Sequence, residues 1–213
     1  MARQTVLLLG DSILDNQPYT GGAPDTATHL RSVLGAEWTV DLLARDGAIM
    51  SDVPGQIRRM PTRDAVAFLS IGGNDLTQQI ELLARSSTSA AAVLGELLAI
   101  ADRFSARYDE VARSVAAAAE RTVLCTIYEV QLEPRHFAEL ARVPLAVLND
   151  RIIRIATRLG LEVLELRDVC TSASDFVMQI EPSARGARKI ADAIANVLRD
   201  DPDVRTARIH SAA

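Results

Sequence analysis

Three short segments carry the residues best suited to chemistry: Gly10-Asp11-Ser12, Gly47, and Gly72-Gly73-Asn74-Asp75. The first follows the apolar run Thr5-Val6-Leu7-Leu8-Leu9, which reads as a buried parallel strand. In an open α/β sheet, ligands bind at the carboxyl ends of the strands. A serine on that turn is a candidate nucleophile. Asp and Ser also favour turns for their local hydrogen bonding, so the first segment alone is equally explained as turn chemistry. The other two tip the balance. Gly47 follows the apolar run Trp38 to Leu43, and the Gly-Gly-Asn-Asp segment follows Ala65 to Ser70.

These segments need a scaffold, and the rest of the chain supplies its pattern. Apolar runs alternate with amphipathic stretches. Strands are expected over 4–9, 38–43, 65–71, 121–127 and 161–166. Helices are expected over 25–34, 52–59, 88–119, 144–159 and 183–198, the first capped by Asp25 or Thr26, the last with Pro182 near its first turn. Strands separated by helices predict an α/β fold, a three-layer α/β/α sandwich on a five-stranded parallel sheet with right-handed crossovers. Residues 1–199 form the expected domain and 200–213 a polar tail. Loops 13–24 and 128–143 belong over the carboxyl edge of the sheet, where Tyr19 and Tyr128 are candidate pocket residues.

Composition narrows the function classes. A chain of 213 residues is long enough for one substantial core. With 48% apolar and only 4% aromatic residues, that core rests on Leu, Val, Ile and Ala. A net charge of −5 argues against nucleic acid or an anionic membrane surface as the main partner. Cys125 and Cys170 lie in or beside apolar segments and read as buried thiols of a reducing compartment. No Cys/His cluster has ligand spacing, so no metal or other cofactor is expected. The apolar run after Gln4 is too short for a signal-peptide core, and no apolar run is long enough for a span. A cytoplasmic protein is the expectation.

The three segments, in this order and spacing, resemble the SGNH (GDSL-type) hydrolase family, whose blocks carry a serine, a glycine, an asparagine and a histidine. The resemblance runs from Val6 to about Leu198. It implies a flavodoxin-like fold, a small-molecule ester as substrate, and acyl transfer through Ser12. It also implies three oxyanion donors: the backbone N–H groups of Ser12 and Gly47 and the side-chain amide of Asn74. Glycine lets the main chain approach a substrate closely, and asparagine donates without adding charge. Asp11 and Asp75, in the same blocks, join Tyr19 and Tyr128 as expected substrate-binding residues.

The fourth block departs from the pattern. Family members carry Asp-x-x-His-Pro before the last helix, and the matching stretch here is Met178-Gln179-Ile180-Glu181-Pro182. Glu181 stands at the histidine position and Met178 at the aspartate position. Of the histidines, His29 falls on the first helix, His210 in the tail and His136 in the loop after the fourth strand, where it is a possible alternative base. Glu181 has two readings. As a base it is weaker than histidine by about two pKa units unless burial raises it. As a helix cap it has no chemical role. A carboxylate base needs no acidic partner, so losing the aspartate and the histidine together is chemically coherent. Asp175, three residues upstream of Met178, is either an orienting group or part of a loop.

Two functions follow from different classes. One is an ester hydrolase with an atypical base. The other is a ligand-binding pseudoenzyme that keeps the pocket without efficient turnover. An acyl transferase is a third form of the same serine chemistry.

Overall fold

Five apolar segments join into one parallel sheet, and helices bury both of its faces. The computed structural model describes residues 4–77 and 89–199. The strands are β1 (Gln4–Gly10), β2 (Trp38–Leu42), β3 (Val66–Ser70), β4 (Arg121–Cys125) and β5 (Glu162–Leu164). They lie in the order β2-β1-β3-β4-β5, and every pair is parallel. In the central strand β1, Val6 and Leu8 face one layer of the core while Leu7 and Leu9 face the other. That two-sided burial is why the run is continuously apolar rather than alternating.

Helices α1 (Thr26–Leu34) and α6 (Ala184–Arg199) pack together on one face. Helices α2 (Val53–Ile57), α4 (Ala90–Ala118) and α5 (Arg135–Leu159) cover the other, and the single turn α3 (Gly73–Thr77) follows β3. Asp25 caps α1 by accepting from the Thr28 N–H at 2.7 Å, and Ser89 caps α4 through the Ala92 N–H. Leu30 and Leu34 of α1, and Ile190, Ile194 and Leu198 of α6, repeat at helical spacing and enter the same core.

Two elements differ from the sequence reading. Helix α5 begins at Arg135, nine positions before the expected start at 144, because Pro144 lies inside the helix rather than at its first turn. The expected loop 128–143 is therefore loop only to Pro134. Beyond β5, a short antiparallel hairpin pairs β6 (Phe176–Val177) with β7 (Glu181–Pro182). Both strands are two residues long, too short for any periodic signal. The expected tail, 200–213, lies outside the described residues. No helix among the described residues is long and apolar enough to cross a membrane.

Candidate active site

The turn bearing Ser12 is built from backbone constraints. Gly10 has φ +130°, and a Cβ there would sit 1.7 Å from the Ser70 carbonyl oxygen of β3, so only glycine fits. Its peptide groups are clamped by Gln56 of α2: the Gly10 N–H donates to Gln56 Oε1 at 2.7 Å, and Gln56 Nε2 donates to the Gly10 carbonyl at 2.8 Å. The Asp11 N–H then donates to the Ser70 carbonyl. Asp11 folds back to accept from the Ile13 N–H at 3.2 Å. Ser12 is left at the carboxyl end of β1 with 7% of its surface exposed.

A second strand exit is shaped the same way. Gly72 has φ +112°, and a Cβ there would press on the ring of Phe104 at 2.8 Å. The chain turns at once into α3, which presents Asn74 and Asp75. Asn74 Nδ2 donates to the Ala48 carbonyl at 2.9 Å, tying α3 to the loop that contains Gly47. Asp75 accepts from the Met50 N–H at 3.1 Å. Burial raises the Asp75 pKa against the lowering effect of that bond.

Glu181 reaches the same place through the β6–β7 hairpin. The carbonyls on either side of it are both held. The Tyr128 hydroxyl donates to the Ile180 carbonyl at 2.6 Å, and Asn16 Nδ2 donates to the Pro182 carbonyl at 3.1 Å. Asn16 is itself fixed, because its Oδ1 accepts from both the N–H and the hydroxyl of Thr26. Gln179 docks the hairpin tip by accepting from the Gln131 and Glu133 N–H groups. Glu181 is not the cap of α6. Ser183 is, accepting from the Gly186 N–H at 3.2 Å.

The carboxylate that results is unusual. Glu181 is 9% exposed, and its Oε2 is buried with no hydrogen-bond partner among the described residues. Burial raises its pKa, a hydrogen-bonding interaction with the Ser12 hydroxyl lowers it, and the Asp46 charge raises it again; the net shift is upward. A buried, incompletely paired carboxylate next to a hydroxyl is equipped to accept a proton.

Ser12, Asp11, Asn74, Glu181 and Tyr128 line one cavity. The rest of its wall is almost wholly apolar, drawn from α4 (Leu97, Ile100), α5 (Ala141, Pro144, Leu145, Leu148) and the loop after β4 (Ile127, Val130, Leu132). The cavity encloses about 100 Å³. A water-sized occupant needs roughly 10–15 Å³ on this scale, so the space holds several carbon-sized groups. The mouth of β4 is held open by Asn149 of α5, whose amide exchanges two hydrogen bonds with the backbone of Ile127.

The other expected site residues are not part of its lining. Gly47 is exposed, with φ +74°, on the loop anchored by Asn74. Tyr19 donates to both carboxylate oxygens of Asp46, at 3.0 and 3.1 Å. Asp75 backs the Met50 turn. His136 is exposed on the first turn of α5, stacked on Phe137, and neither it nor His29 lines the cavity. Met178 is 75% exposed with φ +49° at the hairpin tip. Asp175 is a loop anchor: it accepts from the Thr171 and Ser172 N–H groups and pairs with Lys189 at 2.6 Å. Burial would raise its pKa, but those donors hold it below the ordinary value.

The GDSL-like lipase/acylhydrolase family matches residues 8–189. The chain belongs to this family. Solved structures share the GDSL-like fold at low identity. An extracellular lipase from Streptomyces rimosus superposes with a TM-score of 0.68 at 13% identity, covering 91% of this chain and 99% of that one. A phospholipase A1 from Streptomyces albidoflavus gives 0.66 at 18%, covering 92% and 99%. An aryl esterase from M. smegmatis gives 0.63 at 16%, covering 92% and 99%. No curated protein matches the chain.

Three residues of this GDSL-like site escaped sequence reasoning: Asn16, Gln56 and Asn149. Each is a fully buried or nearly buried amide that clamps backbone at the carboxyl edge. A lone amide inside an amphipathic helix or a polar loop gives no local signal. Only the burial of Gln56 and Asn149 on the core faces of α2 and α5 could have marked them.

Proposed function

We propose that the protein hydrolyses carboxylic esters through an acyl-Ser12 intermediate, with Glu181 as the general base. The observation that carries this reading is the placement of Ser12 and the buried Glu181 carboxylate on one apolar cavity that also holds Asn74.

The reaction follows from the roles available. Ser12 Oγ attacks the ester carbonyl as its proton passes to Glu181, and the carbonyl oxygen becomes an oxyanion. The backbone N–H groups of Ser12 and Gly47 and the amide of Asn74 serve as its donors. The C–O bond to the alcohol breaks as Glu181 returns the proton to the leaving oxygen. Water then attacks the acyl-serine with its proton taken by Glu181, and that proton restores the Ser12 hydroxyl as the acid leaves. An upward-shifted glutamate is a stronger base than an ordinary one, which suits this task. The acyl chain occupies the apolar wall formed by α4 and α5. The alcohol side is directed toward Tyr19 and Asp46, with Asp75 supporting from behind the Met50 turn. The structural neighbours described as lipase, phospholipase A1 and aryl esterase support an ester as the substrate class.

Hydrolysis of a series of p-nitrophenyl esters of increasing acyl length tests this. The expected profile favours acyl groups of several carbons, and Ser12→Ala abolishes turnover. Ala141→Phe, which fills the wall, shortens the preferred chain. The second reading, a binding pseudoenzyme, is favoured by the lack of a cavity-lining histidine among the described residues. It predicts saturable ester binding with Ser12→Ala and wild type equally inert.

A further inference from the structure

Two carboxyl groups, not one, border the reacting serine. Asp11 precedes Ser12 and is 2% exposed, and it lines the same cavity as Glu181. Among the described residues, no lysine, arginine or histidine lines that cavity. Asp11 has one fixed donor, the Ile13 N–H. Glu181 interacts with the Ser12 hydroxyl, and its Oε2 has no hydrogen-bond partner among the described residues. Two ionised carboxylates in a shared apolar space repel each other and both lack solvation, so one of them keeps a proton.

We propose that Asp11 and Glu181 hold a single proton between them at neutral pH, that Asp11 carries it, and that the neutral Asp11 acid leaves Glu181 ionised and ready to act as base. The mechanistic consequence rests on the acyl-serine reading given above; the location of the proton does not. Asp11 is a positioning residue here. It acts through Glu181, by keeping the charge of the site at one.

The surroundings of each group say which one is protonated. The groups acting on Asp11 are Glu181 of β7, Asp75 of α3, Tyr108 of α4, Cys125 of β4 and Tyr128 of the loop after β4. All are neutral or negative. Burial is the main cause that lifts the Asp11 pKa to about 8, with the charges of Glu181 and Asp75 adding to it and the Ile13 N–H opposing. Glu181 has the Ser12 hydroxyl in its favour, against burial and the Asp46 charge. Asp11 therefore keeps the proton to the higher pH. During attack the Ser12 proton moves to Glu181, and the new negative charge on the oxyanion forms beside a neutral acid. Once Asp11 ionises, the same step places that charge beside a carboxylate.

Carbonyl-detected 13C NMR of the protein labelled at aspartate and glutamate, titrated from pH 4 to 10, tests this without requiring turnover. The expected Asp11 midpoint is near 8, and it falls in Glu181→Gln, where the neighbouring charge is gone. The Glu181 midpoint stays in place in Asp11→Asn, because Asp11 is already neutral while Glu181 titrates. An Asp11 midpoint in the ordinary range near 3.9, or one that Glu181→Gln leaves unmoved, overturns the proposal. Wild type and Glu181→Gln suffice if Asp11→Asn does not fold. In activity, the rate declines above about pH 8 in wild type, and Asp11→Asn removes that decline. A high Asp11 midpoint in a protein whose Ser12 resists serine-directed probes would sink the acyl-serine reading and leave the shared proton standing.

Discussion

Ser12 and Glu181 border one cavity across a sequence separation that spans most of the chain, and the two carbonyls flanking Glu181 are held by Tyr128 and Asn16. Glu181 is thus placed through its backbone neighbours, and among the described residues no ion pair holds its side chain. A carboxylate held in that way can accept a proton without first breaking a salt bridge.

The tethers should matter more for turnover than for binding. Tyr128→Phe removes the donor to the Ile180 carbonyl, and Asn16→Ala removes the donor to the Pro182 carbonyl along with the two bonds from Thr26. Leaving a buried carbonyl unpaired costs about 1–3 kcal/mol. Asn16→Ala should lower Tm more than Tyr128→Phe. Both should lower kcat while KM changes little, as steady-state kinetics on a short-chain p-nitrophenyl ester would show.

Asn74→Ala should lower kcat by roughly 10²- to 10³-fold at nearly constant KM, the pattern of a donor that acts in the transition state. An equal change confined to KM would make Asn74 a ground-state contact. Asn74 also ties α3 to the Gly47 loop through the Ala48 carbonyl, so circular dichroism melts should accompany the kinetics.

Stability should depend on pH in a direction set by Asp11. Its folded pKa of about 8 lies above the unfolded value of 3.8, mainly through burial. The native state therefore holds a proton that the unfolded chain releases between those values. The contribution is fully present below 3.8 and is lost as pH rises toward 8. The limiting slope for one proton is about 1.4 kcal/mol per pH unit. Asp11→Asn cannot titrate, so its Tm advantage over wild type should grow from pH 4 to 8 and then level off. An advantage independent of pH would contradict the assignment.

Rebuilding the family's usual pair should not need residue 178. Met178 is exposed at the hairpin tip in a left-handed conformation, so an aspartate there would be solvated rather than aimed at residue 181. Glu181→His alone and Met178→Asp with Glu181→His should therefore have rates within about twofold of each other. A much faster double variant would show that the hairpin can turn that side chain inward.

Much of this architecture was legible because local signals agreed with the global fold. The strands β1, β3 and β4 are runs buried on both faces, and Asp25 marked the start of α1. The three motif-bearing strand exits were also readable, since Gly10 and Gly72 occupy backbone conformations that other residues rarely adopt. The start of α5 was missed because Pro144 imitates a first-turn proline. The β6–β7 hairpin was missed because two-residue strands have no period. The tethers were invisible for a different reason. Asn16 meets Pro182 across 166 positions and Gln56 meets Gly10 across 46, and neither pairing leaves a trace in local sequence. Of the two readings of Glu181, the cap falls to Ser183, which takes the capping role, and the base is the proposal made above.

The central claim, that Ser12 is a nucleophile activated by Glu181, is tested most directly by intact-protein mass spectrometry after exposure to a fluorophosphonate across a pH series. The account predicts a single adduct on Ser12, forming faster as Glu181 ionises, with its midpoint above the ordinary glutamate range. It predicts that Glu181→Gln slows adduct formation by about 10²-fold or more and that Ser12→Ala forms none. An unlabelled Ser12 in folded wild-type protein, or labelling that Glu181→Gln leaves unchanged, would contradict it.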